Sequence, residues 1–224
     1  MEIKVLSNIL KANDAIAEEN RQMFSQRGIL TLNFISSPGS GKTSILEKTI
    51  GQVKNDYRLG IIEGDIQTSK DAERIHALGI PVVQINTQGG CHLDANMVKM
   101  ALPGIPLDEI DCLIIENVGN LVCPAGYQLG EDMKVAVLSV TEGDDKPSKY
   151  PEIFHESRVM IINKMDLLPF TNFDLAVARE SALQINPHLQ IFEVSCKSGQ
   201  GFDAWTEWLK AKISDRLNGA GNRS

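Results

Sequence analysis

Short apolar runs alternate with amphipathic segments along most of this 224-residue chain. Runs typical of strands cover residues 29–35, 59–63, 81–86, 112–116, 134–140, 159–162 and 190–194. Apolar residues recur at helical spacing in 44–54, 71–78, 93–101, 150–155, 173–185 and 203–217. This alternation predicts an α/β fold with a doubly wound, mostly parallel sheet, whose ligands bind at the carboxyl ends of the strands.

The two ends of the chain flank this alternation. Residues 3–27 place apolar side chains at helical spacing among many charged ones, which predicts an N-terminal helix within a segment, 1–28, that packs on the core. Residues 29–217 suit a single α/β domain, because a chain of this length buries one continuous core. Residues 218–224 are rich in Gly and Asn, and we expect a disordered tail there.

Composition and charge exclude several classes of function. The formal net charge is -7 and the pI is near 5.2, with no run of Lys and Arg, so we expect no nucleic-acid partner and no membrane partner. The sequence contains neither a bilayer-spanning apolar segment nor the apolar core of a signal peptide. The four cysteines then indicate reduced thiols in a cytoplasmic protein.

The strongest motif joins the first predicted strand to the helix that follows it. A strand that turns into a helix through small residues points backbone N–H groups at an anion, beside the positive end of the helix. The motif departs from G-x-x-x-x-G-K-[ST] at its first position, where Ser36 stands. We predict a phosphate-binding loop of Pro38, Gly39, Ser40, Gly41, Lys42, Thr43 and Ser44. Lys42 would reach the terminal phosphates and the Thr43 hydroxyl would bind Mg²⁺.

A second motif, Asn-Lys-Met-Asp, follows the predicted strand 159–162. Asp166 can accept hydrogen bonds from both N1–H and the exocyclic amine of guanine, two donors that adenine lacks. Asn163 would hold the loop or contact the base edge, and the stem of Lys164 would cover the ring. The loop after the last strand would close the other side of the base with Ser195, Cys196 and Lys197. With the phosphate loop, these residues predict GTP and GDP as ligands.

Two carboxylates at strand ends can complete the Mg²⁺ site with Thr43. Glu116 ends a buried strand and Asp65 follows another, and an unpaired carboxylate is costly there unless it faces a cation. Asp65 is also the candidate for positioning water, or else an ordinary turn residue.

Gly119 can bring its backbone N–H to the γ-phosphate. No Gln follows Gly119 to orient the attacking water, which predicts slow hydrolysis. The candidate catalytic residues are Lys42, Asp65 and Glu116. Two lysines of a charged loop either reach the phosphates or are only solvated: Lys146 and Lys149.

Cys91, His92 and Cys123 form a second constellation. Their loops both start from strand ends, and thiolate and imidazole are the ligands that zinc and nickel(II) prefer. Three ligands leave a tetrahedral site incomplete, which indicates transferable binding or completion by a second subunit. Alternatively, the cysteines are small apolar residues of the core and His92 begins a helix. Cys112, inside a predicted buried strand, has that structural role.

These residues in this order resemble the HypB family, GTPases that assist nickel insertion into [NiFe]-hydrogenase and, in some organisms, urease. The resemblance runs from the phosphate loop through 89–94 and 116–124 to 163–166, and 116–124 is its most specific segment. It implies a SIMIBI-type P-loop NTPase fold and a metallochaperone that hydrolyses GTP. It also implies a nickel or zinc site at Cys91, His92 and Cys123. The partners it implies are a HypA-type nickel carrier and the hydrogenase large subunit precursor.

One further expectation and two alternatives complete the sequence-based interpretation. Because Glu116 and Cys123 share one loop, we expect GTP to favour a homodimer with the metal at its interface. One alternative function is a P-loop kinase or ligase-like phosphotransferase with structural cysteines. The other is a related GTPase chaperone for a different metalloenzyme, which would not need Cys91, His92 and Cys123 together.

Overall fold

The computed structural model describes residues 4–65 and 70–221. Its sheet is built from β1 (Leu30–Ser36), β2 (Leu59–Asp65), β3 (Val82–Asn86), β4 (Cys112–Glu116), β5 (Met133–Ser139), β6 (Ser157–Asn163) and β7 (Gln190–Glu193). The strand order is β3-β2-β4-β1-β5-β6-β7, and each neighbouring pair is parallel. The prediction of a doubly wound α/β sheet is therefore confirmed.

Helices connect the strands. They are α1 (Lys4–Gln26), α2 (Lys42–Val53), α3 (Lys70–His76), α4 (Ala95–Ala101), α5 (Lys146–Lys149), α6 (Pro151–Glu156), α7 (Leu175–Ile185) and α8 (Phe202–Gly221). Helix α5 occupies a segment for which the sequence predicts a charged loop. The ends of the other helices differ from the predicted ones by a few residues, for local reasons. For example, α4 begins two residues later than predicted because the Asp94 side chain caps it, accepting a hydrogen bond from the backbone N–H of Met97 at 2.7 Å.

The strands bury side chains on both faces of the sheet, which explains their nearly continuous apolar sequences. On one face, Ile61 and Ile114 pack with residues of α2 and α8. On the other face, Ile62 and Leu113 pack with residues of α1 and α4. Trp205 of α8 is fully buried and donates a hydrogen bond from Nε1 to Thr49 Oγ1 at 2.9 Å. This packing holds α2, the helix after the phosphate loop, against the sheet.

Helix α1 confirms the predicted N-terminal helix and lies beside α4. Two buried asparagines join it to the domain. Asn20 Nδ2 donates to the carbonyl oxygens of Ala95 at 2.9 Å and Leu129 at 3.0 Å. Asn13 Oδ1 accepts from the backbone N–H of Ala95 at 2.9 Å. Within residues 4–65 and 70–221, no helix has the length and apolar character needed to cross a bilayer.

The C-terminal helix corrects one expectation. Residues 218–224 were expected to be disordered, but α8 continues to Gly221, so 218–221 are helical. A glycine within a helix costs about 1 kcal/mol, much less than a proline. Since residues 218–221 contain glycine but no proline, the helix can continue through them. The remaining tail residues, 222–224, and residue 3 of the predicted N-terminal helix lie outside the described residues.

Candidate functional site

A cleft of about 350 Å³ opens at the carboxyl ends of β1, β2 and β4. Its lining includes most of the residues predicted to bind phosphate, Mg²⁺ or the γ-phosphate: Pro38, Gly39, Gly41, Lys42, Thr43, Ser44, Asp65, Glu116 and Gly119. These residues come from separate parts of the chain. Parallel strand order brings them to one edge of the sheet, as the sequence predicts.

The phosphate loop is a compact turn ahead of α2. Gly41 caps the helix in the left-handed region, with φ 94°, a conformation that a side chain would disfavour. Lys42 is buried, and its Nζ donates to Ser36 Oγ at 2.9 Å. Burial lowers the pKa of Lys42, while the Glu116 carboxylate opposes that effect. The lysine ammonium thus lies over the loop that would hold the phosphates.

The loop after β5 supports the phosphate loop from outside the cleft. Ser40 is fully buried and its Oγ lies 2.6 Å from Glu142 Oε1. Lys146 Nζ lies 3.1 Å from Ser37 Oγ and 3.4 Å from Glu142 Oε2. Lys149, in contrast, is 61% exposed and pairs with Asp145 at 2.6 Å. The sequence left two alternatives for these lysines, contact with the phosphates or solvation. The structure places Lys146 against the phosphate loop and Lys149 in a solvated ion pair.

Two buried carboxylates face each other at the inner end of the cleft. Thr43 Oγ1 donates to Glu116 Oε1 at 2.9 Å, and Glu63 lies opposite Glu116 in the register of β2 and β4. Glu63 is 2% exposed and Glu116 is 5% exposed. In the described part of the chain, Oε2 of each has no hydrogen-bond partner. Burial and the neighbouring carboxylate raise the pKa of Glu63 to about 8, and burial raises that of Glu116 to about 6.

This arrangement fits a divalent cation. Buried carboxylate oxygens without donors are costly, and a hard cation such as Mg²⁺ prefers oxygen ligands. Sequence reasoning included Thr43, Asp65 and Glu116 in this site but missed Glu63. A signal was present, because Glu63 ends an apolar run in the same way as Glu116 does.

Arg74 was also missed, although it lines the cleft. Its guanidinium pairs with Glu47 of α2 at 2.6 Å and with Asp71 at 2.8 Å. It also lies 3.3 Å from Ser44 Oγ. These contacts join α3 to the first turns of α2, and no sequence motif marks them.

The Asn-Lys-Met-Asp motif is joined directly to the phosphate loop. Asn163 is buried, and its Nδ2 donates to the carbonyl oxygen of Ser40 at 3.0 Å. Lys164 has φ 62°, and its Nζ donates to the carbonyl oxygen of Gly39 at 2.7 Å. Asp166 accepts a hydrogen bond on Oδ1 from Ser195 Oγ at 2.5 Å. The motif and the phosphate loop therefore form one hydrogen-bonded unit.

The last loop makes contacts that its sequence does not predict. Ser195 is fully buried, and its Oγ donates a hydrogen bond to the Asp166 carboxylate. Cys196 is half-buried, with Sγ 3.4 Å from Asn163 Oδ1, and burial raises the pKa of its thiol. Its carbonyl oxygen accepts from Lys48 Nζ at 3.2 Å, while Lys197 is exposed. A sequence motif cannot show this turn of Ser195 toward Asp166.

Cys91, His92 and Cys123 come together as predicted, with one potential ligand atom of each within 4.8 Å of the others. Cys91 Sγ lies 3.5 Å from His92 Nδ1. The His92 ring packs on Tyr127, with 4.0 Å between the ring centroids. A hydrogen bond with Cys123 raises the pKa of the Cys91 thiol, and burial lowers the pKa of His92. This donor set fits a borderline metal ion such as zinc or nickel(II).

The loop after β4 joins this cluster to the cleft. It starts at Glu116 and reaches Cys123, which begins a 3-10 turn, Cys123–Gly126. Buried Lys134 holds the turn by donating from Nζ to the carbonyl oxygen of Ala125 at 2.5 Å. Asn120 Nδ2 donates to the carbonyl oxygen of Cys91 at 3.3 Å. One segment thus contacts both the nucleotide-type cleft and the metal-type cluster.

The parallel sheet, the loop after β1 and the motif after β6 define a P-loop nucleotide-binding protein. Comparison with known families agrees, since the model of the CobW/HypB/UreG nucleotide-binding domain matches residues 30–193. The HypB hydrogenase maturation factor of Escherichia coli K12 is 50% identical over 210 residues, which cover 94% of this chain and 72% of that protein. This chain therefore belongs to the HypB family, as its motifs predicted.

Solved structures support the same assignment. HypB from Archaeoglobus fulgidus aligns with a TM-score of 0.86 at 38% identity and covers 91% of this chain and 100% of its own. HypB from Helicobacter pylori, solved in complex with nickel, aligns with a TM-score of 0.86 at 39% identity and covers 92% and 97%. FtsY from Elizabethkingia anophelis aligns with a TM-score of 0.52 at 14% identity over 80% of this chain and 66% of its own. At this identity the likeness shows a shared fold alone.

Proposed function

We propose that this protein is a GTP-hydrolysing metallochaperone that assists nickel insertion during maturation of [NiFe]-hydrogenase or urease. One observation carries the proposal: a single loop links Glu116 in the cleft to Cys123 in the metal-type cluster. The names of the relatives support it, because they include a hydrogenase/urease maturation factor from H. pylori. In this function, the nucleotide state controls metal binding and dimerisation.

The nucleotide site has two parts. At the phosphate end, the loop from Pro38 to Ser44 surrounds the phosphates, and Lys42 and the Gly119 N–H contact the terminal one. Thr43, Asp65 and Glu116 hold Mg²⁺, together with Glu63, and bound Mg²⁺ would neutralise phosphate charge. Asp65 is the candidate for orienting the attacking water. Release of free phosphate from GTP without any acceptor would separate this activity from phosphotransfer to a small molecule.

At the base end, Asp166 selects guanine and Asn163 connects the base-reading loop to the phosphate loop. Ser195 holds one carboxylate oxygen of Asp166, which leaves the other carboxylate lone pairs to accept the two guanine donors. The stem of Lys164 covers the ring, and Cys196 and Lys197 complete the loop. GTP is therefore the expected substrate and GDP the product.

At the metal end, Cys91, His92 and Cys123 bind nickel(II) or zinc(II) as cargo. They provide three ligands, fewer than a closed tetrahedral site contains. The same set from two subunits related by a two-fold axis would complete it, so we propose a GTP-dependent homodimer. A HypA-type nickel carrier and the hydrogenase large subunit precursor are the proposed partners for loading and delivery.

The test is a titration of purified full-length protein with Ni²⁺ or Zn²⁺, in GDP and in a non-hydrolysable GTP analogue, with sedimentation at each metal concentration. We expect tighter metal binding and more dimer with the analogue. The double variant Cys91→Ala, Cys123→Ala should lose the metal, while Cys112→Ala, which removes a buried thiol outside the cluster, should keep its stoichiometry. Unchanged stoichiometry in the double variant would contradict the metal site, and identical results in both nucleotides would contradict the coupling.

A further inference from the structure

Asn117 directly follows Glu116 and is 1% exposed. Its Oδ1 accepts a hydrogen bond from the backbone N–H of Leu93 at 3.1 Å and a second from Val118 at 3.0 Å. Leu93 is the residue after His92, whereas Val118 is the residue before Gly119. One buried amide oxygen therefore binds the backbone of the metal-type loop and the backbone of the nucleotide-type loop.

The other end of this amide is also fixed. Asn117 Nδ2 donates to Asn33 Oδ1 at 3.2 Å, and Asn33 is fully buried in β1. Asn33 Nδ2 in turn donates to Glu131 Oε1 at 3.1 Å, and Glu131 Oε2 accepts from the backbone N–H of Leu129 at 2.6 Å. This chain of hydrogen bonds leaves the Asn117 amide a single orientation, with its oxygen toward the two loops.

The energetic consequence is that movement of one loop without the other is disfavoured. If one loop shifted away from Asn117, a buried N–H would lose its acceptor, which costs about 1–3 kcal/mol. Gly119 lies against the phosphate loop, because a Cβ there would come within 3.1 Å of Pro38 Cα. A change at the terminal phosphate would therefore move Gly119 and Val118, and through Asn117 it would move Leu93 and His92.

We propose that Asn117 is the positioning residue that couples the nucleotide state to the geometry of the Cys91–His92–Cys123 cluster. This inference rests on the proposed function, since it requires that nucleotide changes metal affinity. Asn117 acts through its hydrogen bonds to the backbone of both loops. The Asn120 contact with Cys91 is a second link between the loops, but it lies at the exposed surface, where water competes for the hydrogen bond.

The test measures a coupling ratio, the Kd for Ni²⁺ in GDP divided by the Kd in a non-hydrolysable GTP analogue, with full-length protein and the metal alone as probe. In the unaltered chain we expect a ratio on the order of tenfold. Asn117→Ala should bring it close to 1 without changing the metal stoichiometry. Asn117→Asp keeps the acceptor for Leu93 and Val118 but loses the donor to Asn33 Oδ1, so it should retain only part of the ratio.

Asn186→Ala is the control for loss of a half-buried asparagine whose side chain joins separate backbone segments. The Asn186 side chain donates to the carbonyl oxygens of Phe154, His155 and Ser157, far from the loops at issue. This variant should keep the coupling ratio. If Asn117→Ala kept the coupling ratio of the unaltered protein, or if Asn186→Ala lost as much of that ratio as Asn117→Ala, the inference would be overturned. The proposed function would still stand. A ratio of 1 in the unaltered protein would overturn both.

Hydrogen exchange on the unaltered protein tests the same inference without any substitution. On exchanging GDP for the analogue, peptides covering 91–94 and 117–121 should change their protection together. Asn120→Ala removes the surface contact with Cys91 and a local hydrogen bond from the Val122 N–H, and it should leave that joint change in place. Protection that changes in 117–121 but not in 91–94 would overturn the role of Asn117.

Discussion

At the base end of the proposed nucleotide site, polar side chains are paired with protein atoms, whereas two carboxylate oxygens in the cleft at its phosphate end are not paired in the part of the chain that the structure describes. Asn163 and Lys164 donate to carbonyl oxygens of the phosphate loop, and Ser195 donates to Asp166. At the other end, Glu63 and Glu116 are buried side by side, each with an oxygen that has no partner in the described residues. The base-end side chains are thus paired within the protein, whereas the carboxylates of the phosphate end fit a cation.

This difference indicates how ligand binding relates to stability. A site whose groups are already paired gains specificity from its fixed shape, because little reorganisation is needed on binding. A site with buried, unpaired carboxylates is destabilising without a cation and becomes stabilising when one binds. We therefore expect substitutions at the base end to change nucleotide choice. Substitutions at the phosphate end should change affinity and stability.

The largest expected effect is at the base end. Asp166→Asn should reduce the ratio of the affinity for GTP to that for xanthosine triphosphate (XTP) by about 10³-fold. The reason is that the amide cannot accept both guanine donors. Competition binding with GTP and XTP measures it. Asp174→Asn, at the exposed cap of α7, should change nothing in this ratio. Unchanged GTP preference in Asp166→Asn would show that this motif does not read the base.

The next effect is at the phosphate end. Lys42→Ala should weaken GTP binding by about 10²-fold, because a charge-assisted contact to phosphate is worth roughly 1.5–3 kcal/mol. The ratio of GTP to XTP affinity should stay the same, which separates this end from the base end. Nucleotide titration by calorimetry measures both quantities. Lys54→Ala, at the far end of α2, is the control, and equal loss in both variants would contradict the assignment.

A smaller effect is expected where the two ends join. A Cβ at Gly41 would lie 2.5 Å from Asn163 Nδ2, and φ 94° disfavours any side chain. Gly41→Ala should therefore weaken GTP binding about tenfold, since the conformational cost alone is about 1–2 kcal/mol. Gly51→Ala, in the same helix with open space at its Cβ, should leave binding intact. Wild-type affinity in Gly41→Ala would show that the two motifs are not rigidly joined.

The smallest effect concerns pH. Since the pKa of Glu63 is raised from 4.5 to about 8, the folded state binds a proton that the unfolded state releases, and the free energy of unfolding falls as pH rises between these values. In Mg²⁺-free protein, Glu63→Gln should make the free energy of unfolding depend less on pH. Each 1 kcal/mol of this pH dependence corresponds to about 2–4 °C in Tm. Thermal unfolding from pH 5 to 8 measures it. Glu180→Gln, at an exposed position, should keep the wild-type slope, and an unchanged slope in Glu63→Gln would contradict the shift.

The sequence alone determined the elements and the neighbourhood of the motifs. The apolar runs predicted every strand of the sheet, because parallel strands are buried on both faces and need continuous apolar sequence. The motifs follow strand ends, and the carboxyl ends of parallel strands meet at one edge. For this reason Lys42, Glu116 and Cys123 could be assigned to one region of the molecule before their contacts were known.

Only the tertiary structure decided which side chains meet within that region. The pairing of Glu63 with Glu116 depends on the register of β2 and β4, which no local pattern encodes. The turn of Ser195 toward Asp166 and the two-loop contact of Asn117 likewise join residues from different parts of the chain. Such contacts follow from strand order, register and burial, whereas a sequence motif reports only spacing along one segment.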